Sequence, residues 1–284
     1  MSEPFEVSVV IPVYNAERFV ERAIVSALDQ EEVKEVVVVD DGYQDDAYEI
    51  CQQLAKQHNR IKLLTHPNHE NKGAATSRNL GILNTTCDYI AFLDADDYFL
   101  PERFRFAKTA FAADPSIDAV YEPVGYRVST DQAMVRLQNI KRAFRESPEK
   151  VNEILAYAKT PYTGVELFKS MAIGGNDGPC TDGITVKKSL IASVGLFNTA
   201  LRLHQDTEYW LRLSYFGKFS PTSNHTQAVA VRDMHDGNRT YAQNNASKFK
   251  LWQAVLSWAS MANMDKEIFS LILKRYQTLV AEVK

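Results

Sequence analysis

The first 121 residues predict an α/β fold with a mostly parallel sheet and helices on both of its faces. Two observations carry this. Short runs rich in Val and Ile recur along the stretch, of strand length and too apolar to have a solvated face. Between them apolar residues recur at helical spacing, so the order is β-α-β-α-β-α-β-α, which implies parallel strands joined by crossover helices. A third observation locates the chemistry: carboxylates cluster at two of the strand ends, and open α/β sheets bind their ligands there.

Val7 to Val13 (VSVVIPV) reads as the first buried strand, ended by Pro12 and the polar pair Tyr14-Asn15. Asn15 is the expected N-cap of a helix that buries Phe19, Val20, Ala23, Ile24, Ala27 and Leu28. Glu35 to Val39 is the second strand, and Asp40-Asp41-Gly42 is the turn after it. A helix from about Asp46 to His58 and a strand from Ile61 to Leu64 follow. Lys72-Gly73 leads into a helix carrying Arg78, Asn79 and Ile82. The fourth strand is Tyr89-Ile90-Ala91-Phe92-Leu93, which changes abruptly to Asp94-Ala95-Asp96-Asp97. Pro101 marks the first turn of a helix that buries Phe104, Ala107 and Phe111 and closes at Asp114-Pro115.

Beyond Tyr121 the pattern weakens. An irregular strand and a helix near Ile140 to Ala158 are expected, then a loop at Gly174 to Pro179. Ile184 to Val186 reads as a strand and Ser189 to Val194 as a helix stopped by Gly195. Thr207 to Phe216 reads as a helix and Ala228 to Val231 as a short strand. Helices near 246–262 and 266–283 finish the chain. Their apolar spacing suits packing, with an amphipathic membrane contact as the other reading. The division this suggests is 1–121, 122–240 and a helical extension at 241–284.

Composition excludes several classes. The chain has 284 residues, 45% hydrophobic and 24% charged, which suits a globular protein with a sizeable core. Its 32 basic and 36 acidic residues leave a net charge of -4, which points away from nucleic acid. Cys51, Cys87 and Cys180 have neither zinc spacing nor a disulfide pattern, as expected of reduced thiols in the cytoplasm. The start Met-Ser-Glu-Pro-Phe-Glu-Val is unlike a signal peptide, and no uncharged run approaches a membrane span. Any membrane association is expected to be peripheral, at the inner face.

Close carboxylates repel one another unless a cation or a very polar ligand sits between them. Asp94-Ala95-Asp96-Asp97 is the strongest such signal, and its oxygens suit Mg²⁺ or Mn²⁺ bridging to a diphosphate. The plainer alternative is an acidic loop in which Asp97 starts a helix. Asp40 and Asp41 can accept hydrogen bonds from a base or a ribose, or form only a solvated turn. Lys72 and Arg78 can meet phosphates or face solvent. Asp206 can be a general base, an N-cap, or both. His235 can complete a metal shell, touch a phosphate or be only a surface loop histidine, and His66 and His69 read as surface histidines.

Together these segments resemble the inverting glycosyltransferase family 2, whose fold is GT-A, a Rossmann-like arrangement. The resemblance lies in VSVVIPVYNAERFVERAIVSALDQ at 7–30, EVVVVDDG at 35–42, NKGAATSRNLGI at 71–82 and YIAFLDADD at 89–97. VGLFNTALRLHQDTEYWLRL at 194–213 is a weaker match. The resemblance implies that Pro12, Tyr14 and Asp41 line the base pocket, supported by Asp40, with Lys72 and Arg78 near the base or phosphates. Asp94 and Ala95 would lie against the donor, Asp96 would ligate the metal with Asp94 and His235 beside it, and Asp206 would be the catalytic base. Two positions depart from the family pattern. Tyr43 stands where a serine is usual, and Gln205 where a glutamate usually precedes the base.

The implied activity is transfer of a sugar, with inversion, from a nucleoside diphosphate donor. A UDP-sugar is the commonest donor in the family, with Mn²⁺ or Mg²⁺ as cofactor. The acceptor would be a glycan, a lipid-linked saccharide or a protein in the synthesis of a glycan or cell-surface polysaccharide, and the enzyme could be a homo-oligomer. The two departures keep open a non-catalytic nucleotide-sugar-binding protein. A GT-A-like nucleotidyltransferase would share the metal site, need no base at Asp206 and release pyrophosphate. A haloacid-dehalogenase-type phosphatase fits poorly, because Tyr98 stands where Thr or Val is expected and three strands precede the motif.

Overall fold

The computed structural model describes residues 4–42, 44–140, 145–146, 150, 153–156, 162–173 and 178–283. Tyr43, residues 174–177 of the expected loop and most of the helix expected near 140–158 lie outside the described residues. The strands are β1 (Val7–Val13), β2 (Val33–Asp40), β3 (Ile61–Thr65), β4 (Tyr89–Phe92), β5 (Tyr98–Phe99), β6 (Ala119–Tyr121), β7 (Val124–Val128), β8 (Ile184–Lys187), β9 (Phe219–Pro221) and β10 (Ala230–Met234). The helices of the first half are α1 (Val20–Leu28), α2 (Ala47–Gln57), α3 (Ala74–Leu83), α4 (Arg105–Ala113) and α5 (Asp131–Ile140). Those of the second half are α6 (Gly164–Ala172), α7 (Lys188–Val194), α8 (Gln205–Phe216), α9 (Asn245–Met261) and α10 (Lys266–Val283).

The main sheet has seven strands in the order β3-β2-β1-β4-β8-β6-β9. β1, β2, β3 and β4 pair in parallel, and β8 runs against both of its neighbours. A three-stranded sheet, β5-β10-β7, adjoins it. β1 is central, and its side chains divide between two cores as a pleated strand requires. Val7, Val9, Ile11 and Val13 pack with Ala23 and Ile24 of α1 and Cys51 and Leu54 of α2. Val10 belongs to the opposite core, with Ala75 and Ile82 of α3 and residues of α6 to α10. α3 lies very close to the sheet: a Cβ on Gly81 would come within 2.4 Å of Val10 Cγ1.

The C-terminal helices pack. Leu251, Trp252, Val255 and Ala259 of α9 and Ile268, Ile272 and Leu279 of α10 join the core of α6 and α8. No helix among the described residues is long and apolar enough to cross a membrane.

Several boundaries differ from expectation. Asn15 is not the cap of α1: it has φ 49°, and Phe19 occupies the N-cap position. Pro101 lies in a turn, and α4 begins only at Arg105, because residues 98–99 pair with β10 as a strand too short to show a period. α5, α6 and β9 were not anticipated, and β10 starts later than the strand expected at Ala228.

Arg103 sits at the centre of the molecule, fully buried. Its guanidinium donates to Glu122 Oε2 at 2.7 Å and to the carbonyls of Asp182 at 3.0 Å and Ile184 at 3.2 Å. It therefore fixes the segment entering β8. Arg103→Ala would leave Glu122 buried without its counter-ion. We expect a loss of about 3–5 kcal/mol, read from the midpoint of urea unfolding.

Candidate active site

Parallel β1, β2 and β4 end at one edge of the sheet, in register from Val13 beside Asp40 to Val10 beside Phe92. β8 is antiparallel to β4, with Ala91 opposite Thr185, so β8 begins where β4 ends. That reversal brings Asp182 to the same edge. Its Oδ1 accepts the Asp94 backbone N–H at 3.0 Å.

At the β1–β2 end, Gly42 has φ 85°, and a Cβ there would meet His69 O at 2.7 Å. The turn can lie against residues 69–71 only because it carries no side chain. Asp41 Oδ1 accepts the backbone N–H groups of Lys72 at 2.8 Å and Gly73 at 2.9 Å, which ties the turn to the start of α3. Asp40 is buried and lies 3.3 Å from His69 Nδ1. Burial raises its pKa, opposed by the hydrogen bond from His69. His66, expected at the surface, is buried instead, 2.8 Å from Ser77 Oγ and 3.6 Å from Asp41, whereas His69 is exposed as expected. Tyr14 is exposed beside it and Pro12 is partly buried on β1. The Lys72 ammonium is at the surface on Glu70.

One step inward, Arg78 is fully buried on α3 and pairs with Asp94, its guanidinium carbon 5.5 Å from the centre of the Phe197 ring. Its Nε and Nη1 are buried without a hydrogen-bond partner. Burial opposes the charge on Arg78, but the fields of Asp94 and Asp206 outweigh it and raise its pKa. The Asp94 carboxyl is pushed up by burial and, more strongly in total, pulled down by Arg78, Arg232 and Arg239. The fields of Arg232 and Arg239 thus reach Asp94 as that of Arg78 does, and Arg232 Nε lies 3.9 Å from Asp97 Oδ2.

Two carboxylate groups meet at the end of β4. Asp94, Asp97 and Asp182 each bring an oxygen within 4.8 Å of the others. Asp97 and Asp182 are 2% and 0% exposed, hydrogen-bond one another, and both have raised pKa values, Asp182 to about 6. Burial is the main cause, followed by the neighbouring carboxylates. Asp97 does not start a helix: its Oδ1 accepts the Asp233 N–H of β10 at 2.8 Å.

The second group is open. The Asp96 side chain is 28% exposed, and its Oδ2 lies 3.1 Å from His235 Nε2 and 2.9 Å from Asn238 Nδ2. Gly237 N–H donates to His235 Nδ1 at 3.2 Å, which leaves the ring proton on Nε2, facing Asp96. A divalent ion that must also touch a diphosphate needs hard oxygen donors with room for more ligands. Asp96 has that room, and His235 could join it as a nitrogen ligand only by giving up its Nε2 proton; the closed Asp97–Asp182 pair lacks the room. Asp94 lies between the two groups, its Oδ1 on Arg78.

Asp206 is in the first turn of α8, where the helix dipole favours an acid. It is not the N-cap; that position is His204, at φ 60°. The Asp206 carboxylate is half-buried, accepts the Thr207 N–H at 2.7 Å, and lies close enough to Arg78 to act on its charge. Next to it Gln205 is buried, with Oε1 lacking a hydrogen-bond partner.

The structure thus brings Arg78, Asp94, Asp96 and His235 together at the end of β4, with Asp206 acting on the charge of Arg78; Pro12, Tyr14, Asp40 and Asp41 lie at the neighbouring strand ends, and Ala95 is buried in the core. Lys72 reaches Asp41 through its backbone alone. Sequence reasoning missed Asp182, Asn238, Arg232 and Arg239. Arg232 lies on β10 and Asn238 and Arg239 follow in the polar loop of His235, and an arginine pair flanking that histidine was the available signal. Asp182 had none, because only the reversed direction of β8 brings it in.

A model of glycosyl transferase family 2 matches residues 8–172. An uncharacterized glycosyltransferase of Haemophilus influenzae is 26% identical over 215 residues, 75% of this chain and 64% of that protein. One from Rickettsia conorii is 29% identical over 283 residues, 86% of this chain and 44% of that protein. The chain therefore spans less than two thirds of either relative. Among solved structures, S. aureus TarS 1-349 in complex with UDP-GlcNAc superposes with TM-score 0.69 at 17% identity, covering 96% of this chain and 73% of that one. The mannosyltransferase PcManGT from Pyrobaculum calidifontis, in complex with GDP-Man and Mn²⁺, gives 0.60 at 18% identity, covering 96% and 69%. At those identities the likeness is one of fold, and the fold is GT-A. With the family pattern matched over more than half its length, the chain belongs to glycosyl transferase family 2.

Proposed function

We propose that the protein transfers a sugar from a nucleoside diphosphate donor, UDP-linked, to an acceptor hydroxyl, with inversion at the anomeric carbon. The observation that carries this reading is the open Asp96–His235 pair beside the buried Arg78–Asp94 pair at one edge of a GT-A sheet, with the field of Asp206 reaching Arg78. The UDP-GlcNAc named in the TarS structure and the GDP-Man and Mn²⁺ named in the mannosyltransferase structure support the donor class and the metal.

In this reading residues 1–121 bind the donor. Pro12, Tyr14, Asp40 and Asp41 take the base, and Arg78, Asp94 and Ala95 lie against ribose and phosphates. Asp96 and His235, with Asp94 beside them, would hold Mn²⁺ or Mg²⁺, and such an ion supplies charge to offset what develops on a leaving diphosphate. Arg232 and Arg239 add fixed positive charge in the same place. Asp206 accepts the acceptor's proton as its oxygen attacks the anomeric carbon. Residues 122–240 carry the acceptor, a glycan, lipid-linked saccharide or protein in glycan synthesis, and 241–284 brace that half.

Calorimetric titration with UDP, GDP and dTDP, each with Mn²⁺ or EDTA, tests the donor site. We expect UDP to bind more tightly with Mn²⁺ than with EDTA. No binding of any of the three under either condition would overturn the reading.

A further inference from the structure

α1 touches both halves of the proposed metal centre. From its first turn, Arg22 Nη2 donates to the backbone carbonyl of Asp96 at 3.2 Å and to Asp233 Oδ2 at 2.8 Å. Its guanidinium carbon stands 4.1 Å from the centre of the Tyr98 ring, two residues beyond Asp96. The carbonyl, the ring and Asp233 together leave that guanidinium one orientation. Phe19, the N-cap residue of the same helix, stacks on the His235 ring with centroids 4.6 Å apart and planes 27° apart. One helix end therefore grips the backbone of one proposed ligand and the ring of the other. Those ligands are far apart in sequence, on the β4–β5 turn and in the loop after β10. Neither loop belongs to α1, and α1 makes no polar contact with the carboxylate or imidazole nitrogens themselves.

We propose that Arg22 and Phe19 are positioning residues that set the geometry between Asp96 and His235 for a divalent cation. The inference rests on the reading that these two side chains hold the ion. A bare carboxylate–imidazole contact can form in many arrangements, whereas an ion at fixed bond length accepts few. Residues that orient metal ligands in this way typically alter metal affinity ten- to a hundredfold, about the range expected here.

The fold should survive their loss. Both side chains are only partly buried. Asp233 would keep its hydrogen bond from Ser129 and would still lie 3.8 Å from Arg127.

The test is Mn²⁺ affinity in the presence of saturating UDP, read by the disappearance of the free-ion paramagnetic resonance signal. UDP affinity in EDTA and the melting temperature are measured alongside. The proteins are the wild type, Asp96→Asn, Phe19→Leu, Phe19→Tyr and Arg22→Gln. We expect Phe19→Leu and Arg22→Gln each to weaken Mn²⁺ binding about tenfold or more, with melting temperature and metal-free UDP binding unchanged. Phe19→Tyr keeps the stacked ring and should restore wild-type Mn²⁺ affinity. If both Phe19→Leu and Arg22→Gln bind Mn²⁺ like the wild type while Asp96→Asn does not, the positioning role is wrong and the metal reading stands. If the wild type takes up no Mn²⁺, or Asp96→Asn takes it up unchanged, the metal reading fails and the positioning role with it. Should Phe19→Leu lose its fold, Arg22→Gln decides the matter alone.

Discussion

Asp206→Asn is expected to lower sugar transfer by about a hundred- to ten-thousandfold, with donor binding retained. The amide keeps the size of the carboxylate and can still accept the Thr207 N–H at the start of α8. It cannot take a proton from the acceptor hydroxyl, so the loss should fall on kcat. One side effect has to be separated. Asp206 also contributes to the field on Arg78, beside Asp94. If the variant disturbed that pair, UDP affinity would drop together with rate. The assay therefore measures both: UDP by calorimetry and transfer with the donor that titration selects. Transfer near the wild-type rate would remove Asp206 from the mechanism.

The second large effect concerns the metal. Asp96→Asn, or EDTA added to the wild type, should each cost about a hundred- to a thousandfold in transfer, the size of losing one strong electrostatic stabiliser of a developing charge. The two should not add. EDTA should do nothing further to the variant if both remove the same ion. Additive losses would mean that the ion is held elsewhere, and the Asp94–Asp97–Asp182 group would be the place to look.

The donor half of the fold was legible because its information is local. β1, β2 and the strand part of 89–97 are continuous apolar runs, and the helices between them carry plain periodicity. Asp40, Asp94 and Asp96 could be read because a strand end is a position in sequence as well as in space. What could not be read depends on contacts across the chain. Asp182 lies 88 residues from the Asp94 N–H it accepts, and nothing near it in sequence reveals the direction of β8. His66 looks like a surface histidine until the fold buries it against Ser77 and Asp41. Strand β5, of two residues, and β9, of three, are too short to have a period. The plainer alternative for Asp97, a helix start before Pro101, fails because its oxygen closes onto a strand that begins at Ala230.

That closure has a kinetic consequence. The Asp97 bond to Asp233 spans 136 residues, and the Asn238 bond to Asp96 spans 142. The first four strands are local enough to assemble early, since contacts close in sequence form with little loop-closure entropy. The end of β4 cannot be completed until β10 arrives beside it. A chain emerging from the ribosome would hold a nearly finished sheet whose acidic turn is still open to solvent, and it would complete the Asp96–His235 contact in one late step. Sheet formation and acquisition of the Asp96–His235 geometry should therefore appear as separate phases in refolding, the second paced by the C-terminal half.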